Sequence, residues 1–235
     1  MSVSRFFIGE IMPYFTVMVF LMGITYNLFK WTTAPQGKIT LYPASSSPGA
    51  KWKRIIKEVL IFQSLFEDNK PLWFGTWIFH ASLALIIIGH GRVVTDFPLI
   101  WQALGMGKDD VDTMSAVLGG GAGLVILLMG IYLLFRRIAI QRVNEISDWE
   151  DYLTLILILA IIITGDTMRF ITHFDLVQSR EYFIALFTFS KATLPADPAF
   201  LLHFLLGQIL IIYIPFSKFL HIPGVFYSKS IIYQE

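Results

Sequence analysis

Five stretches of the chain stay apolar long enough to cross a bilayer: Phe7–Phe29, Leu72–Val94, Met114–Phe135, Trp149–Ile171 and Ala199–Leu220. About 30 Å of hydrocarbon takes roughly 20 helical residues, and a helix satisfies its own backbone hydrogen bonds there. The short alternating segments of a membrane β-barrel do not occur. The pattern predicts an all-α fold, an integral membrane five-helix bundle forming one domain over residues 1–235. Arg5 is the one basic residue ahead of the first run, Glu10 falls inside it, and no small-residue cleavage site closes it. It is expected to be a retained helix, not a signal peptide.

The 30–71 loop divides in two. "APQGKITLYPASSSPGA" is rich in turn formers and reads as irregular. Over about 52–66 apolar residues recur at helical spacing with basic residues on the other face, which predicts an interfacial helix on the inner leaflet. The same surface suits a cytoplasmic partner.

Charge orients the spans. Twelve of the eighteen Lys and Arg residues lie on the 30–71 loop, the 136–148 loop and the C-terminal end; the other six lie on the opposite side. The positive-inside rule then places the N-terminus outside and the C-terminus in the cytoplasm. A net charge of +1 implies no nucleic-acid partner. With no cysteine, the chain can form no disulfide and ligate no iron–sulfur cluster. A mean hydropathy of +0.65 fits residence in a lipid bilayer.

Four of the five histidines mark the second and fifth runs: His80 and His90 within the second, His203 near the start of the fifth and His221 closing it. These two runs cross in opposite directions, so the four pair by depth, His80 with His221 on the cytoplasmic side and His90 with His203 on the outer side. Two helices offering one imidazole each at two depths suit two stacked b-type haems, each needing one ligand above and one below its iron. Ten residues of helix rise about 15 Å and eighteen about 27 Å, a mean spacing of roughly 21 Å. Eighteen residues are five whole turns, so His203 and His221 are expected on one helical face, with Pro215 a source of a kink; His80 and His90 fall roughly 80° apart. Helix–helix hydrogen bonding is the competing use of an intramembrane histidine. Zinc would want three or four clustered ligands, which pairs so far apart in depth do not supply. Gly89, Gly91, Gly207 and "GGGAG" (119–123) lie in the outer half, where glycine admits either a flat macrocycle or a packed helix.

"IMPYFTVMVFLMG", "FHASLALIIIGH", "MSAVLGGGAGLVILLMGIYLLFRR" and "LLHFLLGQILIIYIPFSKFLHIPG" occur in that order. Together with histidine spacings of ten and eighteen, they resemble the gamma subunit of respiratory nitrate reductase, a dihaem cytochrome b. The segment "IKEVLIFQSLFEDNKPLW" is more similar to two relatives in that superfamily. These are the heterodisulfide reductase cytochrome b subunit and the membrane subunit M of the sulfite-reductase-associated menaquinol complex. The resemblance implies two haems b, on His80 with His221 and on His90 with His203, and a menaquinol or menaquinone site beside the outer haem. It implies a cytoplasmic iron–sulfur partner like the heterodisulfide reductase catalytic subunit, with room for further membrane or periplasmic subunits, in the plasma membrane of a prokaryote. A lysine of the family's quinol site is matched here by Val111, with Lys108 about one turn earlier.

Candidate quinol-site groups are His173, Lys108, Arg92 and Asp96, with Arg169 and Asp175 nearby in sequence. Arg92 could pair with a haem propionate or a lipid phosphate. Glu10 is an intramembrane carboxylate near the outer end of its span. The rival expectation is a non-redox membrane anchor or small proton-relay transporter that uses its histidines for packing.

Overall fold

The structure is a computed structural model that describes residues 3–35, 47–191 and 193–232. Every regular element among these residues is helical. In chain order they are α1 (Val3–Thr33), α2 (Pro48–Ile61), α3 (Gln63–Asp68), α4 (Lys70–His90), α5 (Pro98–Ala103), α6 (Lys108–Ala139), α7 (Gln141–Glu145), α8 (Trp149–Thr167), α9 (Leu176–Phe187), α10 (Pro198–Tyr213) and α11 (His221–Ile232). Five candidate spans emerge among the described residues: Val3–Thr33, Lys70–Val93, Lys108–Ala139, Trp149–Thr172 and Pro198–Phe216. Large apolar side chains stand exposed along them, Leu21, Ile87, Ile88 and Leu128 among them, as lipid-facing surfaces should.

The chain forms two compact units. The first takes the chain up to Phe15 together with Ile78–Leu210. Within it α6 lies against α8, and glycine permits the approach: a Cβ at Gly130 would fall 2.8 Å from Leu159 Cδ2. Tyr182 and Phe183 of α9 pack edge-on against Phe200 and Phe204 of α10, beside buried Met168, Leu186 and Leu194. The start of α1 widens over Phe7–Ile11 into a π-type turn, which breaks the regular hydrogen-bond ladder. Side chains bind two carbonyls there: Gln208 Nε2 donates to Ile8 at 3.1 Å and the Tyr182 hydroxyl to Gly9 at 2.5 Å. Burial pushes the Tyr182 phenol well above its ordinary range, helped by nearby Glu10 and Tyr14, so it remains a donor.

The second unit takes Thr16–Trp77 and the chain from Ile211 onward. The helix expected over about 52–66 is interrupted at Phe62, whose left-handed backbone (φ 54) ends α2 and begins α3. Glu58 explains the break: its carbonyl accepts from Phe62 N–H, and its carboxylate accepts from the Ser64 amide and hydroxyl. Trp73 and Trp77 donate to the carbonyls of Ile61 and Leu60, satisfying the last turn of α2. The turn-rich segment at 36–46 lies outside the described residues.

One expectation fails here. The fifth span does not run to Leu220; it ends at Phe216, and His221 begins a separate helix. Pro215 has no N–H to continue the ladder. Ser217 then takes an extended conformation (φ −128, ψ 174) and caps the next turn through its hydroxyl. His203 and His221 are therefore not two positions on one face of a continuous helix.

Candidate functional site

Helix α4 carries His90 at its last position, and α10 carries His203 in its second turn. Their imidazoles come together. The ring centres are 6.1 Å apart and the planes are inclined by 17°. A metal–imidazole bond is about 2 Å, so two imidazoles on opposite sides of one ion have ring centres about 6 Å apart. The pair matches that separation, with its ring planes close to parallel.

The far nitrogens are already engaged. His90 Nδ1 lies 2.8 Å from the Ile86 carbonyl. His203 Nδ1 lies 3.0 Å from the Ile161 carbonyl and 3.1 Å from Thr164 Oγ1. A carbonyl can only accept, so each Nδ1 carries the proton and each Nε2 is left with a lone pair able to hold a metal. His221, in the second unit, repeats the device within one turn, with Nδ1 3.0 Å from the Lys218 carbonyl. His80 is half-buried on α4 with its ring edge-on to Phe79.

A Cβ at Gly89, Gly121 or Gly207 would meet nothing within 4 Å. A groove runs beside the α4 segment between the two histidines, lined by Ala81, Ser82 and Leu85 with Val117, Gly121 and Ala122 of α6. The other glycines of that set have packing roles: Gly91 abuts Phe97, while Gly119, Gly120 and Gly123 admit Arg169, Phe170 and Asp166 of the fourth span.

The expected polar groups scatter. Arg92 pairs with Asp96 at 2.9 Å and Asp112 at 2.6 Å, so carboxylates hold the guanidinium for which a propionate or a lipid phosphate was expected. Asp96 also meets Arg180 at 2.7 Å. Burial alone would raise the Asp96 carboxyl, but hydrogen bonds from Arg180 and Arg92, with their charges, hold it below its ordinary value. Lys108 is exposed at the first turn of α6, and Val111 is buried one turn on. His173 is exposed at a left-handed residue (φ 53) that ends the fourth span. Asp175 caps α9. Among the described residues no three His, Cys, Asp or Glu side chains converge on a metal site.

The family profile of the nitrate reductase gamma subunit matches residues 62–233. The chain belongs to the nitrate reductase gamma subunit family. It is 31% identical to the Hdr-like menaquinol oxidoreductase cytochrome b-like subunit of Archaeoglobus fulgidus, over 94% of this chain and 78% of that one. The protein of the same name from Archaeoglobus profundus is 28% identical over 93% and 76%. The nitrate reductase gamma chain of Bacillus subtilis is 25% identical over 96% of both chains. Membership and five apolar helices make this gamma-family chain a multi-pass membrane protein.

Reading the sequence missed Thr164, Asp166 as a packed group, and Arg180 as a clamp. The polar run "TGDT" inside an otherwise apolar span was the available signal for the first two. Nothing in the sequence around Arg180 marks it.

Proposed function

We propose that this chain is the dihaem cytochrome b subunit of a respiratory quinol oxidoreductase complex. It transfers electrons between menaquinol at the outer side of a prokaryotic plasma membrane and a cytoplasmic iron–sulfur subunit. The observation that carries the reading is the His90–His203 pair, set at a bis-imidazole spacing with both Nδ1 atoms committed to carbonyls. His90 and His203 hold the outer haem b. His80 and His221 hold the cytoplasmic one, a pairing that rests on sequence depth and family resemblance, with the bonded His221 Nδ1 in support. A haem b held by two histidines would supply single-electron transfer there.

The residues' own tasks follow from their contacts. Thr164 and the Ile161 carbonyl orient His203, and Ile86 orients His90. The partner is of the heterodisulfide reductase catalytic-subunit kind, as the branch of the resemblance suggests, since this chain has no cysteine to carry a cluster itself. The quinol site lies beside the outer haem, with Arg92, Asp96, Lys108 and His173 as the candidate polar groups on its outer side.

The test is a reduced-minus-oxidised absorbance spectrum of the purified chain. Two b-type haems per chain are expected. His90→Ala and His203→Ala should lose the same haem, and His80→Ala and His221→Ala the other. A colourless protein would favour the non-redox anchor, and loss of a haem in His173→Ala would break the pairing.

A further inference from the structure

The fourth span holds a carboxylic acid to which none of the foregoing gives work. Asp166 is the last residue but one of α8, six residues before the end of the fourth span at Thr172, one residue after Gly165 and two after Thr164, and both of these touch His203. Its Oδ1 is 2.1 Å from where a Cβ on Gly123 would stand, so only glycine at 123 admits the carboxyl there. Its Oδ2 is buried with no hydrogen-bond partner among the described residues. An ionisable group at membrane depth is costly and is retained where it serves a pathway. This one braces nothing at Oδ2.

Its surroundings lead outward. Arg169 stands one turn along the same helix, against Gly119, and donates to the Ser115 carbonyl of α6. Arg92, two residues past α4, is paired with Asp96 and with Asp112, which lies one turn from Ser115 on α6. From α10 the titratable neighbour of this corner is His203, whose Nδ1 is committed to Ile161 and Thr164. The polar groups thus run from a buried carboxyl to carboxylates with a third to a half of their side chain exposed.

We propose that Asp166 receives a proton from quinol beside the His90–His203 pair and passes it toward the Arg169, Arg92 and Asp112 end of the helices. This rests on the function proposed above. In each transfer a quinol O–H bond breaks and an O–H bond forms at Asp166 Oδ2. The electron leaves separately to the haems of the same chain, which are the oxidant. Two such transfers turn one quinol into quinone with two protons released. The glycine at 123 keeps the carboxyl in line.

Asp166→Asn, nearly the same shape, tests this in the purified complex. Infrared difference spectra between oxidised and reduced states should carry a protonated-carboxyl band in the wild type. The band should vanish in Asp166→Asn and move in Asp166→Glu and in Gly123→Ala. Quinol oxidation by Asp166→Asn should fall about a hundredfold in kcat with KM little changed, and Asp166→Glu should recover part of it. The b-type absorbance should remain throughout. Wild-type turnover with an unchanged infrared spectrum in Asp166→Asn overturns the proposal, and so does loss of its b-type absorbance, which would make Asp166 structural. A wild-type chain without b-type absorbance refutes the haem reading and this proposal with it.

Discussion

Arg180 Nη1 lies 2.7 Å from Asp96 Oδ2, and the same guanidinium donates through Nε and Nη2 to the Arg92 carbonyl at 3.0 and 2.7 Å. Helix α9 thereby grips the turn that follows His90 by charge and by backbone together. The consequence for pH has a definite sign. The Asp96 carboxyl is held below its ordinary value of about 3.9, so its contribution is fully present above that value and is lost as pH falls through the depressed one. Thermal melts in detergent should show this loss in the wild type and not in Asp96→Asn. The group is partly exposed, so solvent screening keeps the neutral-pH cost of Asp96→Asn to about 1 kcal/mol or less. An acid-side slope unchanged in Asp96→Asn would remove the clamp from the account.

Thr164 supplies a second contact to His203 Nδ1. Thr164→Val deletes it and keeps the shape. Retention of one b-haem should weaken about tenfold, with a shifted midpoint potential, while the other haem stays put. Thr164→Ser should restore both properties. Potentiometric titration followed at the haem bands reads the outcome, and equal shifts in both haems would contradict a role specific to His203.

Two glycines in similar sequence settings should answer differently to alanine. At Gly23 a Cβ would stand 2.5 Å from Pro215 Cβ, and a proline ring cannot swing aside, so Gly23→Ala should cost about 1–3 kcal/mol. Gly121 faces open space in the protein chain, and Gly121→Ala should be neutral or stabilising by up to about 1 kcal/mol. Thermal unfolding in one detergent compares them directly.

Trp52, Ile56 and Leu60 repeat every four residues along α2 and all three are exposed, while Ile55, on the flank of that stripe, is fully buried. That stripe suits a helix lying in the headgroup region. Lipids brominated near the headgroup should quench part of the tryptophan fluorescence, and Trp52→Phe should remove a share of the quenching. Quenching that is the same with and without Trp52 would place α2 clear of the membrane surface.

Much of this was legible in the residues themselves. The five apolar runs lie within about six residues of the observed spans at every end, because helix length is set by the thickness of hydrocarbon. The outer histidines could be paired from opposed span directions alone. The break at Phe216 was harder to read: Pro215 hinted at a bend, but only the extended Ser217 turned a kink into a chain break. The α2–α3 interruption was hidden for a like reason. Phe62 has no sequence mark of a left-handed residue, and the Glu58 carboxylate that stabilises it acts across a turn.

By itself the sequence determined that this is a helical membrane protein with histidines along its apolar runs, because hydrophobic length and the cost of placing an imidazole in hydrocarbon are local properties of residues. Only the tertiary structure decided which nitrogen of His203 is free, because that depends on groups 39 and 42 residues away in the chain. It alone set Asp166 against Gly123 and turned Arg92 toward carboxylates. Contacts of that kind depend on how helices pack and on where glycine lets them come close, and spacing along one strand of sequence carries no record of either.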